Sequence, residues 1–192
     1  MKKIFQKYRL EFFSLLLLSS IYLLTRLPFL TSLPMFTDEA IYIFWGKFVA
    51  TDYSHWFIST TDGKPPLLIW MMFPFFHILP DSWYLIAGRL PSVLAGWASL
   101  MAIFLIAKLL FKTYRTAIIS SVLYIVIPFF LFYDRMALFD SLLNSTLLWA
   151  TYFALRTAQT WKLRDALLWA LFLLMAMLSK GTALMFFVLL PF

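Results

Sequence analysis

Long uncharged runs alternate along the chain with short clusters of lysine, arginine or carboxylate. Residues 12–25 follow Lys2, Lys3, Lys7, Arg9 and Glu11, and the apolar pattern continues past Arg26 to about residue 30. Residues 90–107 lie between Arg89 and Lys108, residues 116–133 between Arg115 and Asp134, and residues 141–155 between Asp140 and Arg156. Residues 166–179 separate Asp165 from Lys180, and a last run begins at Gly181 and is still apolar at Phe192. A bilayer core of about 30 Å takes roughly 20 mostly apolar residues as a helix. The pattern predicts an all-α fold: a multi-span transmembrane helix bundle of about six membrane segments, with an outer loop carrying interfacial helices. The first run has the basic start and apolar stretch of a signal peptide. It lacks a small-x-small cleavage site and more spans follow it, so it reads as an uncleaved anchor.

Lys/Arg bias in short loops sets the orientation. Three basic clusters stand out: Lys2/Lys3/Lys7/Arg9, Lys108/Lys112/Arg115 and Arg156/Lys162/Arg164. With all three on the cytoplasmic side, an even number of crossings must separate successive clusters. Residues 12–30 then go out and 90–107 return, 116–133 go out and 141–155 return. This parity decides the apolar stretch 66–80, which is short and carries Pro66, Pro74 and Pro80. As a full crossing it would put Lys108, Lys112 and Arg115 outside. It is expected to be interfacial or re-entrant, following a first extracytoplasmic loop over residues 31–65, where broken backbone is tolerated if protein covers it. The expected organisation is one transmembrane domain over residues 1–192 in the cell membrane, multi-pass, with the N-terminus cytoplasmic. A natural chain seldom stops inside a membrane helix, so the sequence is expected to continue beyond residue 192.

Composition agrees. The chain is 63% hydrophobic and only 13% charged, against roughly 45–50% and about 25% in soluble domains, which excludes a water-soluble globule and a disordered chain. It has no cysteine, so a disulfide framework is excluded too. The net charge of +7 would suit nucleic acid if it were spread over one soluble face. Sorted by topology, the inner side carries ten basic residues against Glu11 and Asp165, and the outer side six against seven acidic ones. The excess is a topology signal, and no nucleic-acid partner is expected.

The nearly balanced outer set holds the candidate chemistry. The connection over residues 31–64 is too rich in aromatics for disorder, and loops of that length are usually functional. Ile41, Phe44, Trp45 and Phe48 recur at helical spacing, as in an amphipathic helix at an interface. Thr37 would cap that helix, with Asp38 and Glu39 in its first turn. The plain role is to complement the helix dipole; the sharper one is a general base or acceptor-binding pair. Asp134 and Arg135 read as a weak surface pair between two spans, and Asp140 stands at the start of the next. Lys64, ahead of Pro65 and Pro66, Lys180 ahead of Gly181, and Arg89 are isolated cations. Singly each reads as a snorkelling anchor; converging near carboxylates, they would suit one phosphate. His55 and His77 are too scattered for a metal site, and no phosphate-cradling glycine loop occurs. Small residues between Ala87 and Ala98 permit close helix packing.

Several short motifs resemble those of the GT-C glycosyltransferases, which include the protein O-mannosyltransferases and the lipid A aminoarabinose transferases. Thr37-Asp38-Glu39-Ala40-Ile41-Tyr42 resembles their first outer acidic element, D-E-x-x-Y, and Gly63-Lys64-Pro65-Pro66-Leu67 their K-P-P-L. Arg89-Leu90-Pro91-Ser92 through Gly96 resembles R-L-P-S-x-x-x-G, residues Arg135 to Asp140 the second outer acidic element, and Ser179-Lys180-Gly181 their [ST]-K-G. The five stand in the same order over nearly the whole chain. The resemblance implies transfer of a sugar, with inversion, from a polyprenyl-phosphate donor in the membrane lipid to an extracytoplasmic acceptor (lipid, glycan or protein hydroxyl).

By that resemblance Asp38 is the expected base, Glu39 helps bind the acceptor, and Asp140 is a second carboxylate of the same cavity. Lys64, Lys180 and Arg89 are the expected donor-phosphate ligands. No cofactor is required, and a divalent ion, found in some relatives, is left open. The family has further spans and often a C-terminal outer domain, so the given sequence is expected to be an N-terminal portion and inactive alone. Two other readings stand beside the enzyme: a non-enzymatic lipid-linked-sugar flippase or transporter component, and a structural membrane subunit in which Asp38 and Glu39 merely cap a helix. A transporter should show mid-span charges or inverted repeats, and neither is evident.

Overall fold

The computed structural model describes the backbone of residues 2–189 and the side chains of residues 11–186. The described residues form α-helices and short 3-10 turns, with no strand among them. The first helix, α1, spans Lys2–Arg26. It stops short of the expected residue 30 because Pro28 lacks an N–H and disfavours helical backbone in the residue before it. The chain then turns, with Phe29 in the left-handed region at φ 53°.

The outer connection is ordered. Helix α2 spans Thr37–Thr51 and is followed by 3-10 turns at Tyr53–His55 and Ile58–Asp62. Its N-cap is Phe36, which offers no side-chain acceptor. Thr37 is therefore not the expected cap but the first helical residue. The expected apolar stripe also divides: Trp45 is buried with Tyr42, Ile43 and Val49, while Ile41 and Phe44 are exposed. The inward face is set by α3, Leu67–Ile78, whose Leu68, Ile69 and Met72 are fully buried. Gly46 permits this contact, because a Cβ there would lie 2.9 Å from the Phe76 ring and 3.0 Å from Met72 Sδ. With 12 residues, α3 is about 18 Å long, too short to cross a bilayer. It is one helix despite Pro74.

After a 3-10 turn at Asp81–Trp83, α4 runs over Tyr84–Phe111. Its 28 residues extend about 42 Å and contain the expected run 90–107. Asp81–Phe111 is the one described helix long and apolar enough to cross a membrane on its own. The run 116–133 is divided into α5, Tyr114–Val126, and α6, Pro128–Tyr133. Ile127 is extended between them (φ −63°, ψ 122°), as the residue before a proline prefers. Helix α7 spans Phe139–Thr160 and α8 Leu163–Ser179, joined through Trp161 at φ 53°. A 3-10 turn at Gly181–Ala183 leads into α9, Leu184–Leu189; the end of the last apolar run lies outside the described residues.

Side-chain contacts fix which helix ends lie together. Lys108, late in α4, pairs with Glu11, early in α1. Tyr114, Arg156 and Gln159 line the same cleft as Glu11 and Lys108. Glu11, Lys108, Lys112 and Arg156 thus lie together at one end of the bundle. At the opposite end Arg26 reaches the Tyr124 and Ile125 carbonyls, and Arg89 reaches the loop after α1. The two larger of the three buried clusters among the described residues fill the space between. One joins α2, α3 and the start of α7 around Tyr42, Met72 and Phe139. The other joins α1, α4 and α5 around Tyr22, Phe104 and Tyr124.

Candidate active site

At the end away from the basic clusters, a cavity of about 190 Å³ is lined by Asp38, Tyr42, Lys64, Asp140, Ser179 and Lys180, with apolar walls from Phe36, Leu138 and Phe139. Four of the six candidate residues, Asp38, Lys64, Asp140 and Lys180, therefore come together from four separate segments. Asp38 sits in the first turn of α2 and Asp140 in the first turn of α7. Each carboxylate is favoured there by the partial positive charge of the helix N-terminus. Lys64 follows Gly63, whose left-handed φ of 68° closes the preceding turn. Lys180 ends α8 in extended backbone, and its Nζ donates to Asp140 Oδ1 at 2.8 Å. Both partners are more than a third exposed, so the pair is weak and open to exchange. Asp38 and Lys64 form no ion pair among the described residues.

Tyr42 lies one turn beyond Asp38 and packs edge-on against Phe139 at 4.6 Å. Burial, together with the Asp38, Asp140 and Asp62 carboxylates, pushes its hydroxyl up to about 12. It remains a hydrogen-bond donor at neutral pH. The sequence signal for it is the Tyr of D-E-x-x-Y, which places it on the same helical face as Asp38. Tyr133 and Ser179 also line the cavity; Ser179 is the first residue of the Ser179-Lys180-Gly181 motif, while nothing in the sequence context of Tyr133 marks it beyond adjacency to Asp134.

Glu39 and Arg89 do not join this cavity. Both are fully buried and bonded to each other: Arg89 Nε donates to Glu39 Oε1 and Nη2 to Oε2, each at 2.7 Å. Glu39 Oε1 also accepts from the Ala137 amide at 2.8 Å, and Oε2 from the Phe36 amide at 3.3 Å. Arg89 spends its remaining hydrogens on the carbonyls of Leu30, Leu33 and Pro34. One pair thus ties together the loop after α1, the N-terminus of α2, helix α4 and the turn before Asp140. The geometry is that of a positioning clamp behind Asp38, with neither residue lining the cavity.

Below the clamp is a second buried network. Asp134 is not a surface partner of Arg135 as expected. It accepts from the hydroxyls of Tyr22 at 3.1 Å, Tyr124 at 3.1 Å and Ser141 at 2.9 Å, and lies 3.8 Å from Arg26 Nε. Arg135 instead donates to the Pro28 and Phe29 carbonyls. Gly96 makes the network possible: a Cβ there would fall 2.1 Å from Tyr22 Oη and 2.4 Å from Asp134 Cγ. His55 and His77 stand apart from the cavity, and no group of three or more His, Asp or Glu that could hold a metal ion occurs among the described residues.

The described residues are thus all-helical, with one membrane-capable helix and with two carboxylates and two lysines around one small cavity at a bundle end. The chain belongs to the family described as dolichyl-phosphate-mannose-protein mannosyltransferase, which matches residues 63–192. It is a membrane glycosyltransferase of the GT-C type, as the motifs implied. The match takes in Lys64, Arg89, Asp140 and Lys180 and begins after Asp38 and Glu39. No curated protein and no solved structure matches the chain.

Proposed function

We propose that the protein transfers a sugar from a polyprenyl-phosphate donor to an extracytoplasmic acceptor hydroxyl, with inversion at the anomeric carbon. The observation that carries this is the convergence of Asp38, Lys64, Asp140 and Lys180 on one cavity. A lipid-borne donor already lies in the bilayer, so the enzyme needs no nucleotide pocket. Asp38 takes the acceptor proton as the hydroxyl oxygen attacks the anomeric carbon. The carbon–oxygen bond to phosphate breaks on the opposite face, and the phosphate departs on its lipid with the bonding electrons. Lys64 and Lys180 stabilise that charge. The Lys180–Asp140 pair supports a further step: an arriving phosphate displaces Asp140 from Lys180, and Asp140 turns to the acceptor. Glu39 and Arg89 hold the Asp38 turn in place, and no step needs a cofactor.

The same reading places the protein in the cell membrane as one multi-pass domain, with about six membrane segments. Residues 31–65 form the outer loop and residues 66–80 an interfacial helix. The gathering of Lys108, Lys112 and Arg156 beside Glu11 of α1 at the far end supports a cytoplasmic N-terminus. The test is transfer by the full-length protein in proteoliposomes supplied with a polyprenyl-phosphate sugar and a hydroxyl acceptor. The product should be inverted at the anomeric carbon. Donor binding without any transfer under every acceptor class would refute the enzyme reading and favour a carrier.

A further inference from the structure

A cavity of about 1070 Å³ lies at the basic end of the bundle, away from the residues proposed to act on the sugar. Helices α1, α4 and α7 form its walls, with Tyr114 from the start of α5. Its lining divides by chemistry. Phe12, Leu15, Leu105 and Leu109 form an apolar side, while Lys108, Lys112 and Arg156 face the same space with Glu11 as the one carboxylate. Lys108 is neutralised by Glu11 and lies 5.0 Å from the Tyr114 ring centroid. Arg156 is held at 3.4 Å by Asp165, a carboxylate kept below its usual range by the Thr160 hydroxyl and by Arg156 itself. Lys112 is exposed, ends α4 at φ 55°, and has no ion-pair partner among the described residues. The cavity therefore carries a net positive charge beside an apolar wall.

We propose that this cleft binds one anionic glycerophospholipid of the leaflet at the basic end. Its phosphate sits between Lys112 and Arg156, and an acyl chain lies along Phe12, Leu15 and Leu109. Charge complementarity selects this occupant over a zwitterionic lipid. Each lysine or arginine near an anionic headgroup contributes about fivefold in affinity, and the apolar wall distinguishes a lipid from a free phosphate. The lipid bridges α1, α4 and α7 where the Glu11–Lys108 pair crosses between α1 and α4. It stabilises the helix ends without touching the transfer cavity. The inference needs only the membrane setting of the family and is independent of which sugar is moved.

The experiment uses the full-length protein purified in neutral detergent and titrated with phosphatidylglycerol, phosphatidylcholine or inorganic phosphate. Bound lipid is counted by native mass spectrometry and the melting temperature is followed in parallel. Phosphatidylglycerol should bind at one retained copy and raise the melting temperature, with phosphatidylcholine and phosphate doing neither. Lys112→Asn, chosen because asparagine tolerates positive φ, should weaken retention about fivefold. Adding Arg156→Gln should weaken it about twenty-five-fold, while the exposed control Lys47→Gln leaves it unchanged. Equal retention of phosphatidylcholine, an equal effect of inorganic phosphate, or full retention by the double variant would each overturn the proposal. The wild-type lipid comparison decides the matter even if the double variant does not fold.

Discussion

Replacing Glu39 by glutamine preserves its shape and removes its charge, which isolates the work done by the buried clamp. The carboxylate accepts from four N–H groups: two of Arg89, one of Ala137 and one of Phe36. A glutamine amide has one acceptor oxygen and an NH2 group. Whichever way it is turned, two donors face donors, and the guanidinium of Arg89 is left buried without a counter-charge. Removing one partner of a buried pair costs about 3–5 kcal/mol. For a chain of this size about 2–4 °C is lost per kcal/mol, so Glu39→Gln should lower the melting temperature by roughly 6–20 °C. Scanning fluorimetry of the purified protein in detergent reads this directly. The double variant Glu39→Met/Arg89→Met should recover much of the loss, because apolar residues of similar volume replace both charges. Recovery is incomplete, since the Leu30 and Leu33 carbonyls lose their donor. A drop of less than about 2 °C in Glu39→Gln, or a double variant no better than the sum of the singles, would refute the clamp.

Other outcomes follow from the same geometry. Gly96→Ala should destabilise by about 1–3 kcal/mol, because its methyl group collides with Tyr22 and Asp134; an unchanged melting temperature would mean the two helices are not in contact there. Lys64→Gln should raise the half-saturating donor concentration by roughly 10–100-fold, from the loss of a charge-assisted contact of about 1.5–3 kcal/mol, and a parallel shift for the acceptor alone would contradict its assignment to phosphate. Tyr42 ionises near 12 when folded against 10.0 in the unfolded chain. Its protonated form is thus favoured by folding, so its share of stability is intact below pH 10 and is lost as pH rises toward 12. Tyr42→Phe should flatten that part of the stability profile; identical profiles would show that the hydroxyl is not buried beside the carboxylates.

Much of the fold follows from charge spacing, because ionised side chains at helix ends bound each apolar run. The helices around 90–107, 141–155 and 166–179 all contain those runs. Boundaries set by backbone chemistry were less legible: Pro28 ends α1 early and Pro128 divides the run 116–133. The cavity residues Asp38, Lys64, Asp140 and Lys180 were legible as outer charges within motifs. Partner choice was not, because burial decides it. Arg26 reads as a charge tolerated at the end of a span, and Asp134 as a turn residue, yet each is almost wholly buried and they belong to one network. Glu39 and Asp38 are adjacent in sequence, but the α2 helix turns one into the protein and the other toward the cavity. Only the three-dimensional arrangement separates a clamp from a candidate base.

The central claim is that Asp38 removes the acceptor proton, and turnover of Asp38→Asn in the full-length protein tests it most directly. The measurement pairs sugar transfer in proteoliposomes with equilibrium binding of the polyprenyl-phosphate donor. Asparagine retains the shape and the place at the start of α2 but cannot take a proton. The account predicts that transfer falls by a factor of about 10²–10⁴ or more while donor binding stays within a few-fold of wild type. Turnover at the wild-type rate, with the donor bound as before, would contradict it.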